Sequence, residues 1–181
     1  MPCIVAFSGP PGSGKSTIAK LLGLKAEWSV VKFSDYITHL LTALDLPVDR
    51  SRLQQLGQHL VETDARQFSR RFLSWAGWTR EESLVLDGLR HTRVWNEISS
   101  RVDPNPCYLV YLDVDDNEIL SDRLVLRGEA PDALDNLLSD PTESEVRGRL
   151  SQEADIRISA ERSPESIVVE IVGFLHARGE I

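Results

Sequence analysis

Gly9, Pro10, Pro11, Gly12, Ser13, Gly14, Lys15, Ser16 and Thr17 match G-x-x-x-x-G-K-[ST] at every fixed position and follow directly on the apolar run from Cys3 to Phe7. That spacing has a chemistry. Glycines let main-chain amides turn inward around a phosphate chain, the helix that starts next points its positive end at the same place, and Lys15 adds a full charge. Ser16 supplies a hydroxyl that holds Mg²⁺. A Gly/Pro-rich turn that merely contains a lysine is the alternative, and the strand before it and the helix after it argue against that.

A second group lies further along the chain. The apolar stretch from Ser83 to Gly88 ends on Asp87, and Arg90, His91 and Arg93 follow in one loop. In open parallel sheets ligands bind at the carboxyl ends of the strands, so an acid there reaches the water shell of a metal held by the loop. The run from Cys107 to Asp113 also ends in acid, with Asp115 and Asp116 behind it. Asp87 is the preferred metal-associated carboxylate because Gly88 and Arg90 follow it, whereas Asp115 and Glu118 read as the N-cap and reciprocal cap of a helix. That helix, about 117–127 and closed by Gly128, presents Arg123 and Arg127 one turn apart. Such a pair suits phosphate, and it equally suits a solvated helix face.

The elements that position these groups alternate. A strand at 3–7, a helix from Ser16 to about Gly23 and a strand at 28–33 form a parallel βαβ unit. Helical periodicity from Asp35 to Pro47 and from about Arg50 to Trp75, the latter with a stripe through Leu53, Leu56, Leu60, Phe68 and Phe72, then interrupts the alternation. The pair reads as an insertion over the sheet. Strands at 83–88, 107–113 and 156–159 complete an α/β sheet with five strands. Residues 129–140 contain Pro131 and no Lys or Arg, as expected of a mobile connection. Thr142 and Glu145 form a capping box for a helix carrying Arg147 and Arg149, and Ser163-Pro164-Glu165 starts the last helix.

Composition narrows the class. With 181 residues, 41% hydrophobic and 27% charged, the chain is expected to form a single domain, 1–181. No apolar run is long enough to cross a bilayer and no secretory signal is present, so a cytoplasmic protein without a membrane partner is expected. A net charge of −8 argues against nucleic acid as the main partner. Cys3 and Cys107 read as core residues, and the four histidines, His39, His59, His91 and His176, have no metal-ligand spacing.

Together these motifs resemble the P-loop kinases of small molecules, most closely the nucleoside monophosphate kinase group. Leu86-Asp87-Gly88-Leu89-Arg90 is similar to the Asp-Gly strand end and phosphate-binding arginine of those enzymes, with Arg90 one residue early compared with adenylate kinases. The stretch Asp122-Arg123-Leu124-Val125-Leu126-Arg127 is similar to their helix before the lid. Phe33-Ser34-Asp35-Tyr36-Ile37 and Leu53-Gln54-Gln55-Leu56-Gly57 also resemble phage-type deoxynucleoside monophosphate kinases and dephospho-CoA-kinase-like proteins.

The resemblance implies a three-layer P-loop fold with helices on both faces of a five-stranded parallel sheet. It further implies an acceptor-side helical insertion at about 35–76 and a lid at about 128–145. ATP and Mg²⁺ are the implied cofactors and a nucleotide-like small molecule the implied acceptor. Arg123 would cover the adenine and Arg127 would steady the γ-phosphate. Arg90 would hold the acceptor's phosphate, with Arg66, Arg70 or Arg71 assisting. Asp35 would orient the acceptor, act as general base toward a hydroxyl acceptor such as dephospho-CoA or a sugar, or simply cap its helix. One departure stands out. The expected lid carries Glu129, Asp132, Asp135, Asp140, Glu143 and Glu145 where relatives bring arginines, so either Arg127, Arg147 and Arg149 at its edges suffice or closure is weak. A switch that hydrolyses ATP or GTP without an acceptor is the competing class; the oligomeric state is open.

Overall fold

The computed structural model describes residues 1–126, 128–130, 134, 137, 139 and 141–181, and the side chains of Pro141 and Thr142 lie outside that description. The expected lid therefore falls largely outside it. Five strands, β1 (Ile4–Ser8), β2 (Ser29–Lys32), β3 (Leu84–Asp87), β4 (Cys107–Asp113) and β5 (Ile156–Ser159), form one sheet in the order β2-β3-β1-β4-β5. Every pairing is parallel. β1 sits in the centre, which is why all five of its residues are buried and why it reads as an unbroken apolar run.

Alternation along β1 divides the core. Cys3, Val5 and Phe7 pack beneath Ile18, Ala19 and Leu22 of α1 (Lys15–Ala26) and Ile167, Ile171 and Leu175 of the last helix (Pro164–His176). Ile4 and Ala6 pack on the opposite face against α2 (Phe33–Ala43), α3 (Arg50–Trp75) and α4 (Thr92–Val102). Helices thus cover both faces, as the sequence leads one to expect. Burial pushes the Cys3 thiol up to about 11 and the Cys107 thiol up to about 12, so both are inert core residues at neutral pH.

Several boundaries differ from the sequence expectation. Helix α1 continues through Gly23 and stops at Ala26, because Gly23 serves close packing: a Cβ there would lie 2.3 Å from Val30 Cγ2 and 2.9 Å from Trp28 O. Helix α2 starts at Phe33, directly after β2, with Lys32 at the N-cap. Asp35 is therefore inside the first turn, where it complements the helix dipole, and is not the cap. Helix α3 is kinked at Asp64 (φ −161°, ψ 87°), whose Oδ1 accepts the Gln67 amide at 2.8 Å and restarts the helix.

Helix α5 (Asn117–Val125) is capped by Asp116, not Asp115: Asp116 accepts the Glu118 amide at 2.8 Å. The expected capping box of Thr142 with Glu145 involves the Thr142 side chain, which lies outside the described residues; the Glu145 carboxylate bonds to Thr92 and His91, as described below. The segment that carries it, α6, comprises helical Pro141–Glu145, a π-helical turn Val146–Leu150 and helical Ser151–Glu153 in succession.

Candidate active site

Glycine conformations shape the loop after β1. Gly9, Gly12 and Gly14 have φ of 143°, 80° and 89°, all in the region that L-residues avoid. Gly9 has a further reason to be glycine: its Cβ would lie 2.4 Å from the Leu112 carbonyl oxygen of β4. At Gly14, beside the helix start, a Cβ would meet nothing within 4 Å. Helix α1 opens without a side-chain cap and without an acid in its first turn, so its amides and positive dipole end face the loop uncompensated.

Lys15 Nζ donates to Gly9 O at 2.7 Å, to Pro10 O at 2.8 Å and to Ser13 Oγ at 3.3 Å. The ammonium thus lies across the loop, where a polyphosphate would present its oxygens. Arg123 reaches the same loop from α5, donating to Gly12 O at 3.5 Å and to Ala160 O at 2.8 Å. It ties the loop to the chain beyond β5. Arg127 lies outside the described residues.

Asp87 stands at the carboxyl end of β3, where its neighbours β1 and β2 also end. It is only 4% exposed, and among the described residues its Oδ2 makes no hydrogen bond and has one cationic partner, Lys32 Nζ at 3.5 Å. A buried carboxylate oxygen without a donor is costly, and a cation close by removes the cost. The donor set fits Mg²⁺: Ser16 and Asp87 line one cavity, both offer oxygen, and Mg²⁺ takes few protein ligands together with water and phosphate oxygens. Among the described residues there is no group of three or more His, Cys, Asp or Glu that would form a self-sufficient metal site.

The cavity holding these groups, about 340 Å³, runs from the loop into the angle between the sheet and α3. Beyond Lys15, Ser16 and Asp87 its wall turns apolar and aromatic, with Phe33, Ile37, Val61 and Phe68. Phe33 stacks on Phe72 at 4.2 Å between ring centroids and lies parallel to Phe68 at 6.4 Å. Arg50, Gln54, Gln58, Arg90 and His91 add polar groups around it.

The structure brings together the loop, Asp87 and Arg90, and leaves out others. Asp35 is exposed and does not line the cavity, and Arg66, Arg70 and Arg71 are likewise exposed on α3 away from it. Lys32, Arg50, His91, Gln54 and Gln58 line it although sequence reasoning gave them no role. Gln54 belongs to a family-like stretch, but only the pitch of α3 shows that Arg50, Gln54 and Gln58, four residues apart, share the face turned to the cleft.

The acidic segment beyond α5 has a defined place where it is described. Glu129 pairs with Arg50, Glu143 with Arg90, and Glu145 with His91 at 3.1 Å. Glu145 also accepts the Thr92 amide at 2.7 Å and the Thr92 hydroxyl at 2.6 Å, capping α4 from a distance. Burial pushes the Glu145 carboxyl up, but the Thr92 hydroxyl and amide and the His91 ring outweigh it and hold it below its ordinary value of 4.5.

The model of the AAA domain family matches residues 5–153, which include the loop, Asp87, Arg90 and the acidic segment. The chain belongs to that family. Its fold is the P-loop kinase fold: shikimate kinase from Aquifex aeolicus vf5 superposes with a TM-score of 0.61 at 20% identity over 97% of this chain and 98% of that one. A gluconokinase from Sinorhizobium meliloti 1021 gives 0.59 at 15% identity over 99% and 94%. Shikimate kinase from Acinetobacter baumannii, in complex with shikimate, gives 0.61 at 17% over 98% and 94%. These likenesses support the P-loop kinase fold and do not single out the nucleoside monophosphate kinases that the motifs resemble. No curated protein matches the chain. No helix among the described residues is long and apolar enough to cross a membrane.

Proposed function

We propose that this protein transfers the γ-phosphoryl group of ATP to a small acceptor, best a nucleoside or deoxynucleoside monophosphate. Phosphoryl transfer asks a protein mainly to align two partners and to neutralise charge on the transferred oxygens. The loop amides, Lys15 and the start of α1 hold the donor's phosphates; Ser16 and Asp87 would hold Mg²⁺, which would neutralise phosphate charge during transfer. Arg123 and Arg127 act on the donor side, and Arg90 receives the acceptor's phosphate.

The observation that carries the choice of acceptor is the cavity wall. Phe33, Phe68, Ile37 and Val61 offer flat and apolar surface to a planar base, with Gln54 and Gln58 available to its edge and Arg90 to its phosphate. A polyhydroxylated acceptor has no flat apolar face to set against Phe33 and Phe68. A hydroxyl acceptor is the second reading, favoured by the superposition on shikimate kinases and a gluconokinase. It also needs a base, and Asp35, exposed and outside the cavity, is poorly placed to be one.

The test is ADP formation from ATP with Mg²⁺, with nucleoside and deoxynucleoside monophosphates, dephospho-CoA, gluconate and shikimate offered singly. Stimulation by a monophosphate is expected. Stimulation confined to a hydroxyl acceptor would replace the first reading with the second, and ATP loss that no acceptor changes would favour a hydrolytic switch.

A further inference from the structure

Arg90 lines the cleft, is 31% exposed, and already has an anion against it: the carboxylate of Glu143. Glu143 comes from the far side of the chain, 53 residues on, and is almost wholly buried. One of its oxygens pairs with Arg90, and the other, Oε2, is buried without a hydrogen-bond partner among the described residues. A carboxylate placed to fix an arginine is normally fixed itself on its second oxygen. This one is half satisfied, and it comes from the same acidic segment whose Glu129 and Glu145 sit on Arg50 and His91, two further groups of the cleft wall.

We propose that Glu143 is an internal occupant of the anion subsite at Arg90, which the acceptor's phosphate must displace. This rests on the reading of Arg90 as the acceptor's phosphate ligand. The exchange is of one anion for another at an unmoved guanidinium, so the acceptor's affinity is lowered by the fraction of molecules in which Glu143 holds Arg90. Displacement frees the Glu143 carboxylate, at the start of α6, from Arg90.

A positioning role for Glu143 predicts the opposite sign, and that makes the test decisive. Inorganic phosphate, as a probe of Arg90, is titrated into the full chain and into Glu143→Gln by calorimetry at pH 7.5, with Arg90→Ala and the double variant as controls. Gln keeps the size of Glu and removes the charge, and thermal unfolding verifies that the variant is folded. Phosphate is expected to bind Glu143→Gln about tenfold tighter or more, the scale of one charge-assisted hydrogen bond removed from competition, with the gain absent in the double variant. Unchanged or weaker binding overturns the inference. An acceptor found to turn over should show a KM lowered by a similar factor in Glu143→Gln. If no monophosphate turns over in either protein, the proposed function fails, while the phosphate titration still decides the role of Glu143.

Discussion

Replacing Asp87 by Asn separates a structural ion pair from a carboxylate kept for a metal, because the two roles predict different stabilities before any activity is measured. Breaking a buried pair strands its partner and costs about 3–5 kcal/mol. Here the partner is not stranded: Lys32 is 29% exposed, its Nζ is 3.5 Å away, and it rehydrates when the charge is removed. Among the described residues the Oδ2 atom has no hydrogen bond to lose. The net change is therefore expected within about 1 kcal/mol of zero, the range of weak ion pairs, and the Tm should move by less than about 4 °C.

The nucleotide tells the two proteins apart. At a concentration 100 times Kd, a Mg²⁺-bound, non-hydrolysable ATP analogue stabilises the parent by about 2.7 kcal/mol, or roughly 5–11 °C in a chain of this size. Loss of a charged metal contact worth about 2 kcal/mol weakens binding roughly 30-fold and leaves only about 0.9 kcal/mol of that stabilisation. Thermal unfolding followed by circular dichroism, with and without analogue and with EDTA in place of Mg²⁺, measures both quantities. An Asp87→Asn protein that is about 3 kcal/mol less stable yet gains the full shift from the analogue would refute the assignment.

Two further substitutions test the geometry directly. Gly9→Ala and Gly14→Ala both place a side chain at positive φ, but only at Gly9 does the new Cβ strike backbone, 2.4 Å from Leu112 O in a strand paired on both sides. Urea unfolding should show a loss of about 1–2 kcal/mol for Gly14→Ala and about 3 kcal/mol or more for Gly9→Ala, and equal losses would contradict the packing described. Glu145 titrates lower in the fold than its ordinary 4.5, so its contribution is complete above that pH and disappears as the pH falls through the lower folded value. Glu145→Gln should therefore cost about 1 kcal/mol at pH 7, the worth of a helix cap, and noticeably less at pH 3; a penalty independent of pH would exclude the charged cap.

The layout of the sheet was legible because central parallel strands, buried on both faces, must read as apolar runs, and Cys3 to Phe7 and Leu84 to Leu86 do. The phosphate loop was legible because its function is written in main-chain conformations that only glycine adopts freely. What sequence spacing could not show was the distant partner: the Thr92 amide and hydroxyl together with His91 offer Glu145 three contacts from a helix some fifty residues earlier. Asp35 looked like a cap because Ser34 and Asp35 precede a helical pattern, but β2 passes into α2 without a loop and leaves Lys32 at that position.

The acidic segment is the instructive case. Counted along the chain, its carboxylates oppose phosphate binding and count against a kinase. Placed in the fold, Glu129, Glu143 and Glu145 each meet a basic group of the cleft, Arg50, Arg90 and His91. These pairs are attractive while the site is empty, and under the proposal for Glu143 an anionic acceptor compensates the loss of the pair at Arg90 by supplying the same charge.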